Sequence, residues 1–186
     1  LSVLASKLCQ YLARGYIVHN GTIELVGLFT VSNTMPDLIA SVLLGAIWAD
    51  FLPRLSSVSF DKKLVSLYVN EQCEILLILA TPICVFFILF MPQVVSVLLA
   101  DKFSSAIPLM WLLFLNCLLN LVTWPVTVIF VAKGETYISS IYESLSSLCV
   151  LLVSVFFWQK YQLIGIGYAN IIGTLFKTIC VLILSG

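Results

Sequence analysis

Charge is what this sequence has least of. Nine basic and nine acidic residues make up 10% of 186, and they cancel. Soluble domains carry about 25% charged and about 45–50% apolar residues. Here 61% of residues are hydrophobic and the mean hydropathy is +1.13. A water-soluble globule of this size has too little interior for so much apolar surface, and disordered chains are polar and charge-rich. Both classes are excluded. Without a basic surplus there is no electrostatic footprint for nucleic acid. The one histidine, His19, builds no metal site alone. Cys9, Cys73, Cys84, Cys117, Cys149 and Cys180 are scattered singly, in a spacing that suits neither zinc nor a disulfide scaffold. They read as free thiols behaving as small apolar side chains. Nucleophile-elbow, Walker and zinc-protease patterns are missing, so the sequence points to no enzyme and no cofactor. The chain opens on Leu1 with neither a charged leader nor a small-residue cleavage site, so its first segment is not a signal peptide. It reads as a fragment of a longer polypeptide.

What is present is apolar sequence in long runs. A hydrocarbon core of about 30 Å takes about 20 helical residues. Residues 75–100 and 103–132 hold no charge except at their borders, and 25–49 are interrupted only by Asp37. Residues 144–159 and 161–176 extend naturally into two further spans, and 1–20 supplies another despite Lys7 and Arg14. Period-2 alternation, the mark of a membrane β-barrel, does not occur. The reading is an all-α integral membrane protein, a single bundle of six transmembrane helices over about 1–20, 24–52, 72–91, 104–131, 137–158 and 163–185. Residues 53–71 become the longest connection, with a short interfacial helix expected there. If the first helix starts in the cytoplasm, Arg54, Lys62, Lys63 and Lys133 lie on that side and only Lys102 and Lys160 opposite. The positive-inside rule then places both ends in the cytoplasm.

Pro36, Pro82, Pro108 and Pro125 fall inside these spans, where each removes a backbone donor and bends its helix. So many breaks suit a moving bundle better than a rigid anchor. Small residues align as Ser41, Gly45 and Ala49, and as Ala169 and Gly173 just after Gly165 and Gly167. Such stripes let helix backbones approach closely. Trp48 and Trp158 stand near expected helix ends, as an aromatic belt requires, whereas Trp124 lies deeper, facing either protein or lipid.

The intramembrane charges need reasons, since each costs about 2.5–3.5 kcal/mol near the bilayer centre. Lys7, Tyr11 and Arg14 share one helix face. Lys7 and Asp37 lie equally far before and after the first turn, near residue 22, and Lys177 is as far along the last helix. At 1.5 Å per residue all three sit about 22 Å deep, in one layer. The lysines and Arg14 are long enough to snorkel to headgroups. Asp37 is not. It is expected to face the interior and pair with Lys7 or Lys177. Asp50 and Arg54, one turn apart, read as a surface pair.

Several segments resemble a known family. The run Val26-Gly27-Leu28-Phe29-Thr30-Val31-Ser32-Asn33 is similar to the helix after a short outer turn in polysaccharide flippases. Phe51-Leu52-Pro53-Arg54-Leu55-Ser56 resembles their helix-ending P-x-L-S motif, and Phe103 to Leu109 their F-x-x-A-x-x-L. Ala132-Lys133-Gly134-Glu135 resembles a short loop of that family, and Gly165-Ile166-Gly167-Tyr168-Ala169 its G-x-G-x-A hairpin start. The pieces span most of residues 22–175. The family is that of Wzx-type O-antigen and polysaccharide flippases, in the superfamily of multidrug and toxin extrusion (MATE) exporters. The resemblance implies the C-terminal lobe of a two-lobe, MATE-like transporter whose N-terminal lobe is missing here. It implies translocation of an undecaprenyl-pyrophosphate-linked O-antigen or polysaccharide repeat unit across a bacterial inner membrane by alternating access. A cationic cavity would take this anionic carrier, with Lys7, Arg14, Asp37 and Lys177 as candidate cavity residues chosen by charge and depth. Expected partners are the lipid-linked oligosaccharide, membrane lipids and the other half of the transporter. The alternatives are a multidrug exporter of the same superfamily, or a membrane-embedded polymerase or glycosyltransferase, which would need a larger non-membrane loop.

Overall fold

The computed structural model describes residues 2–99 and 101–185. These residues form helices without any strand: α1 (Ser2–Asn20), α2 (Ile23–Ser57), α3 (Lys62–Leu98), a short 3-10 segment (Asp101–Ala106), α4 (Ile107–Ala132) and α5 (Thr136–Ser185). Four helices are long and apolar enough to cross a membrane, over Ile23–Ser57, Lys62–Val97, Phe103–Ala132 and Thr136–Ile183. The protein is therefore an all-α membrane protein. By length and composition these are four candidate spans against the six expected. One reason is α1, whose 19 residues include Lys7, Gln10, Arg14 and His19. The other is α5. At 1.5 Å per residue its 50 residues would run about 75 Å if straight, more than twice the hydrocarbon thickness. It breaks instead at Gln162, with φ 48° and ψ −127°, so two arms (136–161 and 163–185) fold back on each other.

Glycine makes that hairpin possible. A Cβ at Gly165 would lie 2.9 Å from the Phe157 carbonyl oxygen, and one at Gly173 would overlap the Val150 side chain. Ala169, one turn from each, is fully buried. Ser146 Oγ donates to the Gly173 carbonyl oxygen at 2.9 Å, joining the arms directly. The expected stripe on the last helix is thus a real seam. The stripe on α2 is not, because Ser41, Gly45 and Ala49 are exposed and nothing lies within 4 Å of a Cβ at Gly45.

The helices extend beyond the apolar runs that announce them. The expected 72–91 span is part of Lys62–Leu98, and α2 continues to Ser57. The expected long connection over 53–71 shrinks to residues 58–61, leaving no room for an interfacial helix. The cause is local: Asp61 caps α3, its carboxylate accepting from the backbone N–H of Lys63 and of Leu64. A hydropathy window sees only the part of a helix that meets lipid, not the polar turns beyond it.

Three prolines depart from expectation, and the first, Pro53, lies inside α2 near its end. Pro108 sits in the first turn of α4, where its missing N–H costs nothing. Pro92, by contrast, lies inside α3 and removes the helical donor to the Ile88 carbonyl. The Trp111 indole N–H, from α4, donates to that carbonyl at 2.9 Å. Neighbouring helices are expected to repair such losses in lipid.

Helix α4 is central, packing against α2, α3 and α5. Ile17, Phe29, Leu109, Leu113, Trp158, Leu163 and Ile166 form the core at the end that holds the α1–α2 turn and the α5 bend. Phe51, Leu55, Val65, Val69 and Val128 form it at the other end. Trp158 is buried at the end that holds the α1–α2 turn, edge-on to Tyr16 at 6.2 Å, and so is not part of an aromatic belt. Trp124 faces protein, with ring centroids 5.6 Å from Trp48 and 5.9 Å from Phe51. The six cysteines are free, two of them (Cys84 and Cys117) buried.

Candidate functional site: a polar vestibule between α1, α2, α4 and α5

Helices α1 and α2 diverge after their turn, with α1 leaning on α5 and α2 on α4. The gap between the two pairs is lined by polar side chains. A cavity of about 360 Å³ is bordered by Lys7, Arg14, Asn33, Thr34 and Asp37. A second, also about 360 Å³, has Asp37, Lys177 and a set of carboxamides. A third, of about 350 Å³, is bordered by Lys7, Glu143, Ser147, Thr174 and Lys177. The three share residues at their borders, and Gln10 of α1 lines all of them.

All four residues singled out by charge and depth border these three neighbouring cavities. Lys7 and Asp37 are exposed within the chain, while Arg14 and Lys177 are half-buried. Lys7 interacts electrostatically with Asp37, as Glu143 does with Lys177. Neither is a direct ion pair: among the described residues, the ion pairs join Arg54 to Asp50 at 3.2 Å and to Glu71 at 3.8 Å. That group is exposed and ties α2 to α3, with Tyr68 under the Arg54 guanidinium at 5.2 Å. Arg14 stands over the Tyr11 ring at 5.9 Å, and its buried Nε has no hydrogen-bond partner among the described residues.

The neutral polar residues are more numerous and were not singled out. Thr174 of the second α5 arm donates to Asn116 Oδ1 at 2.7 Å and accepts from Asn120 Nδ2 at 3.0 Å, clamping α5 to α4. Ser6 and Ser147 join α1 to the first arm through their hydroxyls at 2.9 Å. Asn33 and Asn170 each turn one N–H back onto their own helix, at Phe29 and Ile166. Glu143 was overlooked because it sits just outside the uncharged 144–159 run. The asparagines carry no charge, so a search for charge passes over them. Their one-turn spacings, Asn116 with Asn120 and Asn170 with Thr174, were the available signal.

The described residues hold no group of three or more His, Cys, Asp or Glu side chains that could bind a metal ion. What they build is an open polar recess in an all-helical membrane protein, with cations on two of its walls, α1 and the second arm of α5. Residues 4–108, more than half of the chain, match the polysaccharide biosynthesis protein family, and the chain belongs to that family. The match takes in Lys7, Gln10, Arg14, Asn33 and Asp37, while Asn116, Asn120, Glu143, Asn170 and Lys177 lie beyond it. No curated protein and no solved structure matches the chain.

Proposed function

We propose that this chain is one lobe of a flippase that carries a lipid-linked oligosaccharide from the inner to the outer leaflet of a bacterial inner membrane by alternating access. The vestibule is the observation that carries the reading. Cations at bilayer depth are expensive and are kept where they face a pathway or a ligand. Lys7, Arg14 and Lys177 around one recess suit the diphosphate of a polyprenyl carrier, and family membership supplies the polysaccharide context. The role is transport, without catalysis. Each α5 arm and α1 cross the membrane alongside α2, α3 and α4, making six spans. Arg54, Lys62, Lys63 and Lys133 mark the cytoplasmic end, with both termini on that side. A second lobe completes the cavity: Lys7, Gln10 and Asp37 are exposed on a face that no other helix of this chain covers, beside the uncovered stripe Ser41, Gly45 and Ala49.

Deleting the gene tests this. Lipid-linked repeat units should accumulate on the cytoplasmic leaflet, and export should return with the wild-type protein but not with the Lys7→Gln, Lys177→Gln double variant at equal expression. A deletion strain that makes no lipid-linked repeat unit would instead assign the protein to saccharide assembly and overturn the proposal.

A further inference from the structure

We propose that five carboxamides in the vestibule, Gln10, Asn33, Asn116, Asn120 and Asn170, form the saccharide subsite and set which glycan is accepted, separately from the cations that hold the carrier's phosphates. This rests on the function proposed above. All five line a single cavity of about 360 Å³, contributed by α1, α2, α4 and the second arm of α5. The sequence holds eleven carboxamide side chains, so nearly half converge on one recess. The volume lies within the range of about 300–1,000 Å³ typical of small-ligand sites.

Their hydrogen-bonding capacity is only partly used. A carboxamide offers two N–H donors and an oxygen with two lone pairs. Asn33 and Asn170 each spend one N–H on their own helix, leaving the oxygen and the other N–H to the cavity. Asn120 spends its amide nitrogen on Asn116 and Thr174 and keeps its oxygen. Asn116 uses its oxygen as acceptor for Thr174 and keeps its nitrogen. Gln10, which borders every part of the vestibule, has no side-chain hydrogen bond among the described residues. The cavity therefore presents both donors and acceptors, from α1, α2, α4 and α5, and polar groups enclosed within a membrane need partners. A ring of hydroxyls, each both donor and acceptor, matches that pattern. A diphosphate, which only accepts, would leave the carboxamide oxygens unpartnered and is matched instead by the cations at the borders, Lys177 of this cavity among them.

The arrangement is also pre-organised. Asn116 and Asn120 are held by Thr174, and Asn33 and Asn170 by their back-bonds, so little side-chain freedom is left to lose on binding. A site built to hydrogen-bond hydroxyls rejects analogues lacking them strongly, because its own polar groups are then left unpaired.

The test compares two probes in nanodiscs containing the intact protein: the polyprenyl-diphosphate-linked saccharide purified from the source organism, and the same lipid after enzymatic removal of its saccharide. The saccharide-bearing lipid should bind about tenfold more tightly, a difference of about 1.4 kcal/mol. Asn120→Leu and Asn170→Leu should each abolish that difference and leave binding of the bare lipid unchanged. Lys7→Gln should weaken both lipids and preserve their ratio. Asn120→Asp and Asn170→Asp keep size and polarity and distinguish lost recognition from misfolding, since they should alter saccharide preference in a protein that still binds the bare lipid. Equal affinity for the two lipids, or carboxamide variants that weaken both alike, would overturn the subsite. Binding of neither lipid would overturn the flippase reading itself.

Discussion

The Ile88 carbonyl has lost its helical donor to Pro92, and the indole N–H of Trp111 takes that place from the next helix at 2.9 Å. Water elsewhere would do the same work; in hydrocarbon only protein is available. Trp111→Phe keeps the ring and removes the donor. It should lower the stability of the detergent-solubilised protein by about 1 kcal/mol, read from thermal unfolding, between the modest average for membrane hydrogen bonds and the cost of an orphaned carbonyl. Gln162 presents the opposite case. Its φ of 48° with ψ of −127° resembles the first central position of a type II′ turn, where glycine is at ease and a side chain is strained by about 1–3 kcal/mol. Gln162→Gly should therefore raise the unfolding temperature, and a fall would show that the Gln162 side chain is itself needed at the bend.

At the scale of elements, close packing of the two α5 arms separates glycines that matter from glycines that do not. Gly173 faces Val150 with no room for a Cβ, whereas Gly45 faces open space within this chain. Gly173→Leu should destabilise the hairpin by about 1–3 kcal/mol or more, as overpacking does. Gly45→Leu should leave this chain's stability unchanged or slightly improved by helix propensity. A matched pair of unfolding curves checks both. If Gly45→Leu abolishes export while leaving the fold intact, the face it occupies meets another lobe.

Over the whole molecule, what the sequence made readable was what lipid demands. Long apolar runs gave the helices, and counting residues from a turn set Lys7, Asp37 and Lys177 at one expected depth; each pair of them borders one of three neighbouring cavities. What lipid does not constrain stayed hidden. The outer turns of α3 are stabilised by the Asp61 cap, not by hydropathy, so the 62–71 segment passed for a loop. Asn116 and Asn120 hide inside the long uncharged 103–132 run because averaging dilutes two amides among leucines. The bend at Gln162 sits beside Lys160 and two glycines, which marked an interruption, and the small-residue stripe pointed to close packing, but not to Ser146 and Val150 as the residues it meets.

One consequence of α1 reaches back to how the protein is made. With Lys7, Gln10, Arg14 and His19 along its length, α1 lacks the apolarity to be retained alone by the insertion machinery, yet it packs mainly on α5, which follows it only after α2, α3 and α4. If α1 is one of six spans, as proposed, its place is fixed only once α5 has emerged. Nascent chains truncated before Thr136 should leave α1 open to added protease, while chains completed through α5 should protect it.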